Sequence, residues 1–180
     1  MQLCLCLYLG FWEPEGDRMN QKEIENTVEK VFDSFINEWK IDDYPRLFDV
    51  FAIISTESSW NPKAESPYAR GLMQISKSAL ETINKLYKTQ FTYDDMFNVE
   101  ANAWIGIRYL RWLYKAFSGY ENRIILTVMA YNWGIKNVTK WLMLEKACNS
   151  LIDEAVPDET KNYILDYIFW CNWYKSKIRM

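Results

Sequence analysis

The stretch from Glu100 to Phe117 constrains the fold most strongly. Ala103, Ile107, Leu110, Tyr114 and Phe117 recur every three or four residues and draw one continuous apolar face along a helix. Ser118-Gly119 ends it. The same period returns elsewhere. Ile24, Val28, Val31, Phe32 and Phe35 predict a helix over 20–39 with Asn20 as its N-cap. Pro45 suits the first turn of a second helix with the stripe Leu47, Val50, Phe51 and Ile54. Residues 58–70, with Asn61-Pro62 and Ser66-Pro67, read as a loop. Residues 71–75 read as a short extended or bridging piece, 76–87 as a short helix and 91–98 as irregular. A further helix runs over 121–132, with Ile124, Ile125, Val128 and Met129 inward, and Gly134 closes it. A weaker helix follows over 135–146. Pro157-Asp158 opens the last helix, whose stripe is Tyr163, Tyr167, Cys171 and Tyr174. No repeat or linker interrupts this series. The expectation is one all-α domain over 20–180 with a minor extended element.

The start of the chain is different. MQLCLCLYLGFW is apolar but shorter than the roughly 20 residues that span a bilayer. A secretory signal has a basic start and a small-residue cleavage site. The first basic residue here is Arg18, and no such site follows the run. Residues 1–19 are therefore expected to be an apolar N-terminal arm or a vestigial signal. The functional start, Met1 or Met19, stays open.

Composition narrows the chemistry. Histidine is absent, which excludes histidine-based triads, histidine general bases and histidine-bound zinc. Proton transfer near neutral pH then falls to a shifted carboxyl, Lys, Tyr or Cys. The net charge of −3 shows no basic bias for nucleic acid, and the 6 glycines form no phosphate loop, so neither nucleic acid nor nucleotide is expected as a partner. Cys4, Cys6, Cys148 and Cys171 form no CxxC pair. Cys171 lies on an apolar stripe and is expected to be a buried small hydrophobe. No metal site and no cofactor are expected.

One carboxylate stands out. Glu57 continues the stripe of Val50 and Ile53/Ile54 to the end of the second helix. Burial there would raise its pKa and suit it to general acid work at neutral pH. A solvated helix-end glutamate is the other reading, and position alone does not separate them.

The residues around Glu57 supply more. ESSWNPKAES (57–66) followed by GLMQI (71–75) resembles the central signature of the soluble lytic transglycosylases, relatives of goose-type lysozyme. Asn102, Gly106, Arg108, Tyr109 and Leu110 resemble that family's N-x-x-x-G-x-R-Y-L helix. AYNWG (130–134) resembles its A-Y-N-A-G segment, with Trp133 in place of a small residue, and ETKNY (159–163) its E-T-x-x-Y. The four blocks occur in family order over 45–165.

The resemblance implies a lysozyme-like fold with a groove and cleavage of the bond between N-acetylmuramic acid and N-acetylglucosamine in peptidoglycan. Glu57 would be acid and then base, with no carboxylate nucleophile. The substrate acetamido group would assist and its 6-hydroxyl would close to a 1,6-anhydro sugar, a substrate-assisted exception to the two-carboxylate rule. Ser66, Met73, Gln74, Tyr131, Asn132, Glu159 and Tyr163 would bind substrate. Ser66 is otherwise a turn cap and Met73 otherwise core. Tyr131 would hydrogen-bond Glu57 or a sugar, or else be a core aromatic. Glu159 and Tyr163, four apart, share a helical face, and Glu159 also suits a helix N-terminus. Trp60 and Trp133 flank the motifs and are placed by the cleft.

Two further readings stay open. A hydrolytic muramidase of the same fold needs a second carboxylate. Goose-type lysozymes carry an Asp where this chain has Ser76, but Glu65, Asp94 and Asp95 are available substitutes. A non-catalytic glycan-binding module would keep the aromatic groove but not the acid. Expected partners are peptidoglycan strands and an envelope-spanning secretion or phage apparatus. The domain is expected to act as a monomer, at the bacterial cell envelope or periplasm or with a phage.

Overall fold

The computed structural model describes residues 19–36, 38, 39, 44–144 and 154–178. The N-terminal arm, Cys4, Cys6 and Cys148 lie outside the described residues. Among those described are seven helices: α1 (Gln21–Ile36), α2 (Leu47–Ser58), α3 (Lys77–Tyr87), α4 (Val99–Ala116), α5 (Arg123–Trp133), α6 (Ile135–Leu142) and α7 (Asp158–Ile178). A two-stranded antiparallel hairpin, β1 (Ala69–Arg70) and β2 (Ile75–Ser76), stands between α2 and α3. The fold is thus all-α with a minor extended element.

Helix starts follow local chemistry. Asn20 Oδ1 accepts from the Glu23 amide at 3.0 Å, and Glu23 Oε2 accepts from the Asn20 amide at 2.8 Å. That reciprocal pair is a capping box. Ser76 Oγ caps α3 by accepting from the Ala79 amide at 3.2 Å. Pro45 lies outside the first turn expected for it: α2 begins at Leu47, Arg46 is its N-cap and Pro45 precedes the cap. The expected irregular stretch 91–98 contains a 3₁₀ turn, Asp94–Phe97. Residues 71–75 are mostly turn, and only Ile75 is extended.

α4 forms the centre, packed by α1, α3 and α5, while α2 lies along α7 and α5 touches α6 and α7. The predicted stripe of α4 is buried throughout, as is that of α7. Of the four residues expected inward in α5, Val128 and Met129 are buried, while Ile124 and Ile125 are half-buried. Unlike a surface helix, α2 is buried continuously from Asp49 to Ser55.

Arg108 and Asp49 are among the polar residues built into this core. Arg108 donates to both Glu38 oxygens at 3.2 and 2.9 Å, and its guanidinium lies 4.0 Å over the Tyr87 ring and 4.5 Å over that of Trp104. The arginine of the R-Y-L block is therefore a packing residue. Asp49, 1% exposed, accepts from Tyr167 Oη at 2.7 Å and from the Arg46 amide at 2.9 Å, which pins α2 to α7. Cys171 Sγ lies 3.6 Å from the same carboxylate. The thiol is buried, and burial pushes its pKa up to about 12.

Candidate active site

The site is built where α2 ends. Glu57 sits in the last turn, and the chain then reverses through Ser59 and Trp60 at φ 49° and 69°. Two successive non-glycine residues with positive φ are uncommon, and such strain persists only where surrounding contacts enforce it. The contacts are present. Trp60 Nε1 donates to Ser55 Oγ at 3.0 Å and to Tyr174 Oη at 2.9 Å. Ser58 Oγ donates to the Leu72 carbonyl at 2.6 Å. The reversal leaves Glu57 half-buried, with part of its surface open at the end of an otherwise buried helix.

Tyr163 Oη donates to Glu57 Oε1 at 2.6 Å, from α7. Burial pushes the Glu57 carboxyl up to about 8; the Tyr163 hydrogen bond opposes this and the charge of Glu159 reinforces it. The solvated reading of Glu57 is therefore displaced. At neutral pH this carboxyl is largely protonated and can deliver a proton. Once ionised, it retains one hydroxyl donor.

Tyr131 does not bond Glu57. Its hydroxyl donates instead to the Met73 carbonyl at 2.7 Å, because the 71–74 turn brings that carbonyl under α5. Met73 itself is fully buried, so its side chain is core and lines no groove. Asn102 explains the position: its Oδ1 accepts from the Met73 amide at 2.8 Å, and its Nδ2 donates to the Arg70 and Met96 carbonyls at 3.0 and 2.7 Å. Gly71, at φ 77°, admits this approach; a Cβ there would collide with the Met96 carbonyl oxygen and the Asn102 amide. In the sequence Asn102 is only a motif letter. Its full burial between two elements gave no sequence signal.

The remaining expected residues divide. Gln74 Nε2 donates to the Ala64 and Gly71 carbonyls, each at 3.0 Å, bracing the turn. Ser66 Oγ accepts from the Ala69 amide at 3.0 Å, as a turn cap. Asn132 Oδ1 accepts from Thr160 Oγ1 at 2.8 Å, tying the end of α5 to the start of α7. Glu159 is exposed and acts on Glu57 through its charge. Trp60, placed by the cleft from sequence, is core at 8% exposure because its indole N–H is drawn to Ser55 and Tyr174. Trp133 is half-buried against the core. Among the described residues no His, Cys, Asp and Glu cluster could hold a metal ion.

Comparison with known proteins bears on the family and the fold. The Transglycosylase SLT domain profile matches residues 35–151. The soluble lytic murein transglycosylase of Escherichia coli K12 is 31% identical over 130 residues, which are 69% of this chain and 20% of that protein. Its Salmonella typhimurium counterpart is 32% identical over the same shares. This chain thus spans about a fifth of the length of those relatives. The crystal structure of the 70 kDa soluble lytic transglycosylase from Escherichia coli superposes with a TM-score of 0.67 at 28% identity, covering 83% of this chain and 24% of that one. The complex of a 70 kDa soluble lytic transglycosylase with bulgecin A gives 0.66 at 23% identity, covering 87% and 26%. Profile, sequence and fold converge: this chain belongs to the transglycosylase SLT domain family.

Proposed function

We propose that this domain is a peptidoglycan lytic transglycosylase that uses Glu57 as its sole acid and base. The observation carrying the reading is a half-open carboxyl held near pKa 8 by burial, with one hydroxyl donor from Tyr163. Glu57 gives its proton to the glycosidic oxygen as the bond to muramic acid C1 breaks, and the substrate acetamido oxygen bonds to C1. The ionised Glu57, steadied by Tyr163, then takes the proton of the 6-hydroxyl. That oxygen bonds to C1, the acetamido bond to C1 opens and no water is consumed. Proximity favours the internal hydroxyl over water.

The candidate second carboxylates support this over hydrolysis, because each is engaged elsewhere. Glu65 and Asp94 accept from Arg70 at 2.8 and 2.6 Å. Asp95 accepts from the Thr92 amide and hydroxyl at 2.6 and 2.8 Å, bonds that hold its carboxyl below the usual range. Ser76, in place of the lysozyme aspartate, caps α3. The reading extends to a metal-free, monomeric enzyme acting on glycan strands at the envelope, with a secretion or phage apparatus as its setting.

Mass spectrometry of digested peptidoglycan tests it. Transglycosylation leaves muramic ends lighter by one water and resistant to borohydride. Hydrated, reducible ends as the main product would reject it in favour of a muramidase.

A further inference from the structure

Ser66-Pro67-Tyr68-Ala69 forms the turn closed by the Glu65–Arg70 bridge, where the chain enters β1, and Tyr68 is 83% exposed. The turn is rigid. The Ser66 amide donates to the Ala69 carbonyl at 2.9 Å, and Ser66 Oγ accepts from the Ala69 and Tyr68 amides at 3.0 and 3.3 Å. Pro67 fixes φ at the corner. The base is stitched by the Gly71 amide to the Ala64 carbonyl at 2.7 Å. One flank is clamped by Arg70, whose guanidinium lies 4.4 Å over the Tyr93 ring and 5.1 Å over Phe97 while bonding Glu65 and Asp94.

This braced finger is tied to the acid. Ser58, adjacent to Glu57, bonds the Leu72 carbonyl, and Tyr131, whose charged form Glu57 disfavours, bonds the Met73 carbonyl. Tyr68 stands three residues before Gly71, about 10 Å along an extended chain. A flat ring held in water by a turn that cannot collapse is suited to stack on the apolar face of a sugar. A tyrosine side chain also loses little conformational freedom on binding.

Resting on the function proposed above, we infer that Tyr68 is a carbohydrate-stacking residue that grips the glycan strand beyond the scissile bond. It binds ground state and transition state alike, so it sets affinity and leaves the chemical step alone.

The test has two readouts, turnover of purified peptidoglycan and co-sedimentation with insoluble peptidoglycan in a Glu57→Gln background. Tyr68→Ala is expected to raise KM and the sedimentation Kd about three- to tenfold, with kcat unchanged. Tyr68→Phe and Tyr68→Trp are expected to stay near the parent. Equal binding by Tyr68→Ala, a loss confined to kcat, or a Tyr68→Phe loss as large as that of Tyr68→Ala would overturn the stacking role. A parent that neither cleaves nor binds peptidoglycan would instead overturn the proposed function, and the inference with it. Melting curves that coincide with those of the matching parent, wild type or Glu57→Gln, check that the exposed substitution leaves the fold intact.

Discussion

Replacing Glu57 with Gln should stabilise the protein at neutral pH and leave it unchanged in acid. The folded carboxyl titrates near 8 against an ordinary 4.5, because burial disfavours its charge. The folded state thus holds the proton more tightly than the unfolded state does. Between those two values unfolding releases a proton, so stability falls as pH rises. Each unit of difference is worth about 1.4 kcal/mol. By pH 7 the wild type has lost roughly 3 kcal/mol relative to pH 4, and the loss saturates only above pH 8. Glutamine has the same shape, carries no charge and still offers an oxygen to Tyr163. The variant should therefore melt about 6–12 °C above wild type at pH 7, at the 2–4 °C per kcal/mol expected for a chain this long. The two curves should meet near pH 4. Thermal melts followed by far-UV circular dichroism from pH 4 to 8 measure the difference directly. Parallel curves over that range would refute the claim that Glu57 is held protonated, even if the variant were inactive.

Four other outcomes follow from the same geometry. Activity should fall as pH rises through about 8, where the acid loses its proton; Tyr163→Phe removes the hydrogen bond that favours the ionised form, so its basic limb should move to higher pH while kcat drops roughly tenfold, and an unmoved limb in the pH–rate profile would count against that contact. Asn102→Ala strands the Met73 amide and the Arg70 and Met96 carbonyls, and should cost about 3–5 kcal/mol in urea unfolding. Cys171, with its thiol pushed up to about 12 by burial, should resist Ellman's reagent until the protein is denatured, and prompt reaction in the native state would contradict its burial.

The helices were legible because burial imposes a period that a sequence must display. The α4 and α7 stripes show it plainly. The direction of individual hydrogen bonds was not legible. Tyr131 and Tyr163 have the same chemistry, and only the packing of α7 along α2 decides that Tyr163 meets Glu57 while Tyr131 meets a carbonyl. Trp60 reads as a cleft residue in the sequence because it flanks a motif. Two positive φ angles swing it inward to Tyr174 instead, and that backbone reversal leaves no periodic trace. Asp49 went unnoticed for the complementary reason. A carboxylate near a helix start normally needs no partner, and its burial arises from Tyr167, 118 residues downstream.

The pairing of Tyr163 with Glu57 spans 106 residues and reaches into the last helix described. A nascent chain that has emerged only as far as α6 carries the acid but neither its hydroxyl partner nor the α7 surface against which α2 is sealed. Water then reaches the carboxyl, and its affinity for the proton relaxes toward that of an ordinary glutamate. On the proposed function, competence for acid catalysis is acquired late, when α7 docks, and a fragment clipped before Tyr163 would keep most of the motif residues without the raised carboxyl.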